Sequence, residues 1–293
     1  MPHGAISSGL ASVWRGLAFL LVASLIAYVP VLSKLFAVWI NEEEMAHAVF
    51  VPVIAAYAVW QSRGKLAQLT PAVYPAALLL CLLAMLLRVT GTLAGEVLLT
   101  RLAWLLTTIG ILHFRFGTAI LRVLAFPLFL LLFAIPIPGV IYTNLTASLQ
   151  TIASVLSERI LDGLDYTVVR SGNILELPGQ KLSVAEACSG IRSLISISFL
   201  VAVYLYFVED RGWARWVVVA ATIPVTVFIN AIRIVITGIV GERDPVFALG
   251  LFHATAGWVL SLAGFALLLA IHDFTQRIIR SLSVRRCARE ESK

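Results

Sequence analysis

The sequence predicts an all-α polytopic membrane protein of about eight transmembrane helices, with a small extracytoplasmic amphipathic helix and β-hairpin. Three observations predict it. Of 293 residues, 60% are hydrophobic and 13% charged, and mean hydropathy is +0.95, which leaves too little polar surface to clothe a soluble domain. The apolar residues fall in runs long enough to cross about 30 Å of hydrocarbon. The basic residues fall in short clusters between those runs, so the net charge of +6 reads as topology signal and contact to anionic headgroups, with no nucleic-acid partner.

The runs lie at 17–40, 72–90, 93–112, 190–208, 213–240 and 255–273. Two are weaker: Ala48 to Trp60 is short, and Ile120 to Ile135 is closed by the prolines of IPIP, which stop a helix. The first run is longer than a signal-peptide core and leads into further spans, so it reads as a retained anchor. Arg15, then Arg63 and Lys65, then Arg115 and Arg122, then Arg211 and Arg215, then the cluster from Arg277 to Lys293 stand at alternate span ends. That bias makes those ends cytoplasmic, with both termini inside and the chain in the cytoplasmic (inner) membrane. Lys34, Arg88, Arg101, Arg170 and Lys181 run against it; long basic side chains near span ends snorkel, and longer loops obey the rule less. Residues 1–293 read as one integral membrane domain, with 277–293 a basic cytoplasmic tail.

On this topology the substantial extracytoplasmic segment is 136–187. From Val140 to Leu164, the residues Ile141, Leu145, Leu149, Ile152, Leu156, Ile160 and Leu164 recur at spacings of three and four, with Thr143, Asn144, Gln150, Ser157, Glu158 and Asp162 between them. This is an amphipathic helix suited to the membrane surface. The following YTVVRSGNILELPGQKLSV has β-branched residues interrupted by SGN and PGQ, hence short strands joined by turns.

The three cysteines, Cys81, Cys188 and Cys287, include no CxxC pairing, so neither a disulfide framework nor a zinc site is indicated, and no cofactor is expected. Cys188, in EACSGIRSL, stands where a span begins. The positive end of a helix dipole, together with Arg192 and Arg233, lowers a thiol pKa there. If the span from Ser189 starts outside and the next returns from inside, Arg233 lies about 20 residues and roughly 30 Å along it, back at the outer surface. The loop GERDPVFALGLF then leads to His253 at the outer start of the last span. Cys188, Arg233 and His253 thus share one depth. A thiolate attacks a carbonyl, an imidazole moves the proton and a guanidinium stabilises an oxyanion, which are complementary roles. Taken singly, Arg233 also reads as a snorkelling residue or an ion-pair partner of Glu186, and His253 as a helix-capping histidine. Arg192, one turn after Cys188, either helps hold the thiolate or anchors to lipid phosphate, and Asn230 shares a helical face with Arg233 and orients it. Glu42, Glu43, Glu44 and His47 form either a solvated acidic loop or a contact for a basic or polar peptide.

The segments EACSGIRSL, NAIRI and HATAGW, in that order at the ends of successive spans, resemble the exosortase/archaeosortase family of membrane transpeptidases. Upstream, AHAVFVPVIAAYAVWQSRGKL and FPLFLLLFAIPIP look like that family's early histidine segment and central region, so the resemblance covers about residues 40 to 275. His47-Ala48 departs from the family's common His-Gly. The resemblance implies Cys188 as nucleophile, Arg233 as the essential arginine and His253 as the third member, which fits the exosortase branch. It further implies a substrate class: secreted proteins bearing a C-terminal sorting signal, a Pro-Glu-Pro-like motif before a transmembrane helix and a basic cluster. The signal would be cleaved through an acyl-enzyme and the protein passed to an unidentified acceptor nucleophile, in bacteria that make exopolysaccharide. Two rival classes are a transporter of an anionic solute, with Arg233 and Arg192 as binding residues and a helix broken near Pro224, and a non-catalytic assembly factor. No inverted repeat is visible.

Overall fold

The computed structural model describes residues 3–184, 190–208, 212–249 and 251–290. They are mostly helical and divide into two compact units, Met1–Pro138 and Gly139–Lys293.

In the first unit, helices α1 (His3–Ala27) and α2 (Val29–Asn41) replace the single expected span, meeting at a bend of 70°. Pro30, in the first turn of α2, has no N–H to donate and its ring crowds the preceding turn. The carbonyl of Ala27 at the break accepts instead from Arg88 Nη2 at 2.7 Å, and the Arg88 guanidinium lies 4.2 Å over the ring of Tyr28. A 3-10 helix (Glu43–Phe50) leads to α3 (Val51–Gln61) and the short α4 (Arg63–Ala67). Helices α5 (Ala77–Ala94) and α6 (Val97–Val123) then form an antiparallel hairpin turned at Gly95, whose φ of 69° suits a residue without Cβ. Leu17, Leu112, Phe116, Ile120 and Leu124 form the apolar core of this unit. Helix α7 (Ala125–Phe133) ends before the IPIP prolines and packs against α3.

The two weaker runs of the sequence are these short helices. At 1.5 Å per residue α3 is about half the hydrocarbon thickness; α6 is broken at Gly117, whose φ is 63°, and the hydrogen bonds from Leu124 N–H to the Ile120 carbonyl and from Leu128 N–H to the Leu124 carbonyl carry the helix from residues 118–123 into α7. Among the described residues five helices are long and apolar enough to cross a membrane, or six with the bent α1–α2 pair, against the eight expected.

The second unit is built around a buried helix. It opens with α8 (Gly139–Gly163), followed by a three-stranded antiparallel sheet in the order β1 (Val169–Ser171), β2 (Ile174–Leu177), β3 (Gln180–Ser183). Register pairs Arg170 with Leu175 and Leu175 with Leu182, so the expected hairpin is two hairpins in series. Helices α9 (Gly190–Phe207), α10 (Ala214–Gly241), α11 (Pro245–Leu249) and α12 (Leu251–Glu290) complete the unit. The basic stretch from residue 277 to residue 290 continues α12 as helix. Helix α10 is the centre, packed by α8, α9 and α12, with half of its most apolar window buried.

Small residues set the approach of α12. A Cβ on Gly264 would stand 3.2 Å from Ile229 of α10 and 3.5 Å from Ile197 of α9. The sheet seals the last turns of α10: Leu175, Leu177 and Leu182 pack with Ile234 and Val235 and with Ala153 and Leu161 of α8. Gln180 Nε2 donates to the Gly238 carbonyl at 2.6 Å.

Helix α8 wears its amphipathicity outward. Thr146, Gln150, Ala153, Ser154, Ser157 and Leu161 are buried, whereas Val140, Ile141, Leu145, Ile152 and Leu164 are exposed. Small and polar side chains permit close packing and hydrogen bonds between helices in a membrane protein, while apolar ones face lipid at no cost. Ser157 Oγ donates to the Ala231 carbonyl of α10 at 3.2 Å. Leu175 is fully buried between sheet and helices. Leu175→Ala should therefore lower stability by about 2–4 kcal/mol, read as a reduced thermal midpoint and faster proteolysis between residues 166 and 184.

Candidate functional site

Within α10, Thr222, Thr226, Asn230, Arg233 and Thr237 recur at spacings of four, four, three and four, which is one helix face, and all are buried. Thr222 and Thr226 satisfy themselves by donating to carbonyls one turn back, Val218 at 2.9 Å and Thr222 at 2.7 Å. Asn230 and Arg233 pair with each other. Arg233 Nη2 donates to Asn230 Oδ1 at 3.1 Å, and Arg233 is only 7% exposed.

Two glycines make room for this pair. A Cβ at Gly190, the first residue of α9, would stand 3.2 Å from Asn230 Nδ2, and one at Gly257 of α12 would stand 3.2 Å from Arg233 Nη1. A Cβ at either position would crowd this polar pair, so glycine lets the backbone pass close to it. The start of α9, the last third of α10 and the early turns of α12 therefore converge on one guanidinium and its amide. Beside them opens a small cleft lined by Leu149, Gly190, Leu194, Thr226, Val227 and Asn230. Its walls are mostly apolar, with the Asn230 amide and Thr226 among them.

The expected pairing of Asn230 with Arg233 is present. Arg192 is half-buried in the first turn of α9, two residues after Gly190. Cys188 and Glu186 lie outside the described residues. His253 is the third residue of α12, and its side chain is outside the described set. His47 belongs to the first unit, in the 3-10 helix. Sequence reasoning did not single out Gly190, Gly257, Leu149, Leu194 or Thr226. The two glycines sit inside segments already singled out, CSGIR and HATAGW, but their use as points of close approach depends on which helix lies opposite.

A guanidinium and an amide enclosed among apolar helices, with glycines ceding them space, define a polytopic membrane protein with a buried polar site. The chain belongs to the transmembrane exosortase family, whose profile matches residues 39–270 and so spans both units. This is a family of membrane cysteine peptidases and transpeptidases. No curated protein and no solved structure gives a significant match to the chain.

His47, the family-like histidine of the first unit, is 8% exposed and its Nε2 donates to the Phe133 carbonyl at 3.2 Å, tying the 3-10 helix to the end of α7. Burial holds its pKa below the ordinary 6.5, and hydrogen bonds involving the Phe133 and Glu44 backbone only partly offset that. As pH falls through 6.5, the unfolded chain takes up a proton that the folded one does not, so stability is lost on acidification from there down to the folded pKa. The thermal midpoint should fall between about pH 7.5 and about pH 5.5, and His47→Gln, which keeps a donor for Phe133, should fall less; equal slopes in the two proteins would remove this account.

Proposed function

We propose that the protein is a cysteine protease and transpeptidase that cleaves the C-terminal sorting signal of secreted proteins at the outer face of the cytoplasmic membrane. The observation that carries this reading is the convergence on Arg233. Two peptide links separate Cys188 from Gly190, a reach of at most about 7 Å, and Gly190 abuts Asn230, the partner of Arg233. On the other side, Gly257 abuts Arg233, and residue 253 stands one turn before it. Positions 253, 257 and 264 fall on one face of α12, the face that Gly264 turns to α9 and α10.

In this reading the His253 imidazole takes the Cys188 thiol proton, and the thiolate sulfur attacks the scissile carbonyl carbon. The carbonyl π electrons move to oxygen, and the Arg233 guanidinium, oriented by Asn230, stabilises that oxyanion. Collapse restores the carbonyl, breaks the C–N bond and sends the imidazolium proton to the departing amine, leaving a thioester on Cys188. The acceptor nucleophile then attacks the thioester carbonyl while His253 takes its proton, the C–S bond breaks, and the imidazolium returns that proton to the departing thiolate, regenerating the thiol. The buried cation of Arg233, the start of α9 and Arg192 all favour the thiolate. Glu186 is the nearest candidate in sequence to balance that positive charge. Positive-inside bias puts both termini in the cytoplasm and this site outside, where a signal preceding its own transmembrane helix would emerge.

Co-expression with a sorting-signal protein tests the proposal. Cys188→Ala should leave the substrate uncleaved while the variant accumulates in the membrane, and mass spectrometry of the wild type should find the acyl adduct on Cys188. Normal processing by Cys188→Ala eliminates the mechanism. Asn230→Ala should slow processing by about 10- to 100-fold, the value of one hydrogen bond to a charged group, and Gly257→Val, which intrudes on Arg233, should slow it comparably.

A further inference from the structure

The first unit holds a second buried arginine, in a different setting. Arg101, in the second turn of α6, is 7% exposed, the same as Arg233. Arg233 has Asn230; Arg101 makes no hydrogen bond among the described residues, and its Nε is enclosed without an acceptor. The Glu42 carboxylate, just beyond α2, acts on it electrostatically from outside ion-pair distance and is itself turned to solvent. A guanidinium this deeply enclosed in an apolar hairpin is costly unless an acceptor reaches it.

The geometry says how one would arrive. Nε is the enclosed nitrogen, so the small accessible surface belongs to the outer end of the fork, Nη1 and Nη2. Val97, one turn earlier on the same face of α6, is 46% exposed, so the face opens immediately above the arginine. Arg101 lies five residues beyond the Glu96 cap, about 7 Å along the axis from the hairpin tip. That is headgroup depth if the tip lies at the membrane surface. Exposed apolar side chains mark the same ends of the neighbouring helices, Ile40 on α2 and Leu93 on α5. A fork of two N–H donors matches two oxygens of a tetrahedral oxyanion. The nearby Glu42 charge disfavours a dianion and leaves a monoanionic phosphodiester as the better complement.

We propose that Arg101 anchors a phosphodiester-binding site on the first unit, occupied by the phosphate of a membrane lipid. The test uses the purified full-length protein, stripped of lipid in a non-ionic detergent, with its thermal midpoint followed on adding phosphatidylglycerol, diacylglycerol of the same chains, or inorganic phosphate. Phosphatidylglycerol should raise the wild-type midpoint by about 4 °C or more near saturation, and the other two should not. Arg101→Gln should abolish the rise. An equal rise in Arg101→Gln, or an equal rise with diacylglycerol, overturns the proposal. A rise with inorganic phosphate that disappears in Arg101→Gln would keep the oxyanion site and overturn its assignment to lipid. Should Arg101→Gln fail to fold, Glu42→Gln replaces it. Removing that carboxylate should bring half-saturation to a lower phosphatidylglycerol concentration, and an unchanged titration overturns the site.

Discussion

The second unit is organised by the need to keep a permanent cation inside a bundle of apolar helices. Arginine stays protonated at any physiological pH, so α10 can carry Arg233 at 7% exposure only if its surroundings supply polarity at short range. Asn230 supplies it from the same helix, one turn away, where no rearrangement of helices can remove it. The rest of the packing follows from leaving that pair undisturbed. Gly190 and Gly257 withdraw side chains where α9 and α12 pass the pair, and Gly264, two turns further along α12, repeats the device against Ile229 and Ile197. In a membrane, where burying apolar surface gives little drive for helices to associate, such close backbone approach is itself a main source of attraction. The glycines that spare the polar pair therefore also hold the bundle together.

The sheet and α8 close the same end of that bundle. β2 and β3 turn Leu175, Leu177 and Leu182 onto α10 and α8, and Gln180 donates to the Gly238 carbonyl near the end of α10, which also accepts from the Glu242 N–H. Arg170 pairs with Glu158 at 2.8 Å and Asn173 Nδ2 donates to Gln150 Oε1 at 3.3 Å, so the sheet is fastened to α8 as well as to α10. The surface ion pair adds little by itself. Leucine packing and the buried polar contacts carry the attachment, and Val184, just after β3, is buried with its N–H bonded to the Asn173 carbonyl.

Much of this was legible before any coordinates. The long runs at 72–90, 93–112, 190–208, 213–240 and 255–273 are helices, because length and apolar composition suffice for a segment whose surroundings are lipid. Asn230 beside Arg233 followed from a spacing of three. What did not follow has a physical reason in each case. Pro30 in the first run reads equally as a tolerated first-turn residue and as a break; it is both, because α2 starts there at 70° to α1. The periodicity of α8 correctly marked two faces, but not which one packs: burying Thr146, Gln150, Ser154 and Ser157 reverses the soluble-protein rule. Gly190 and Gly257 carry no signal in isolation, since a glycine in an apolar run has many uses. His47 follows three glutamates and so reads from sequence as part of a solvated loop or a peptide contact, yet it is buried and bonded to a carbonyl 86 residues away, a long-range contact no local pattern encodes.

The two buried arginines show why burial alone does not assign a role. Arg101 and Arg233 have the same residual exposure and each sits on a long apolar helix. Their difference lies in the first neighbour. Asn230, one turn back on the same helix, holds one Arg233 donor through its amide oxygen and so fixes the orientation of the guanidinium. A carboxylate near Arg101 but out of contact lowers the local potential without satisfying any donor. In the proposed reaction the first arrangement would serve to stabilise negative charge appearing and vanishing on a reacting atom, because a fixed partner keeps the guanidinium oriented throughout. The second suits a standing anion of limited charge, because the donors are open and the carboxylate sets an upper limit on how negative the occupant can be.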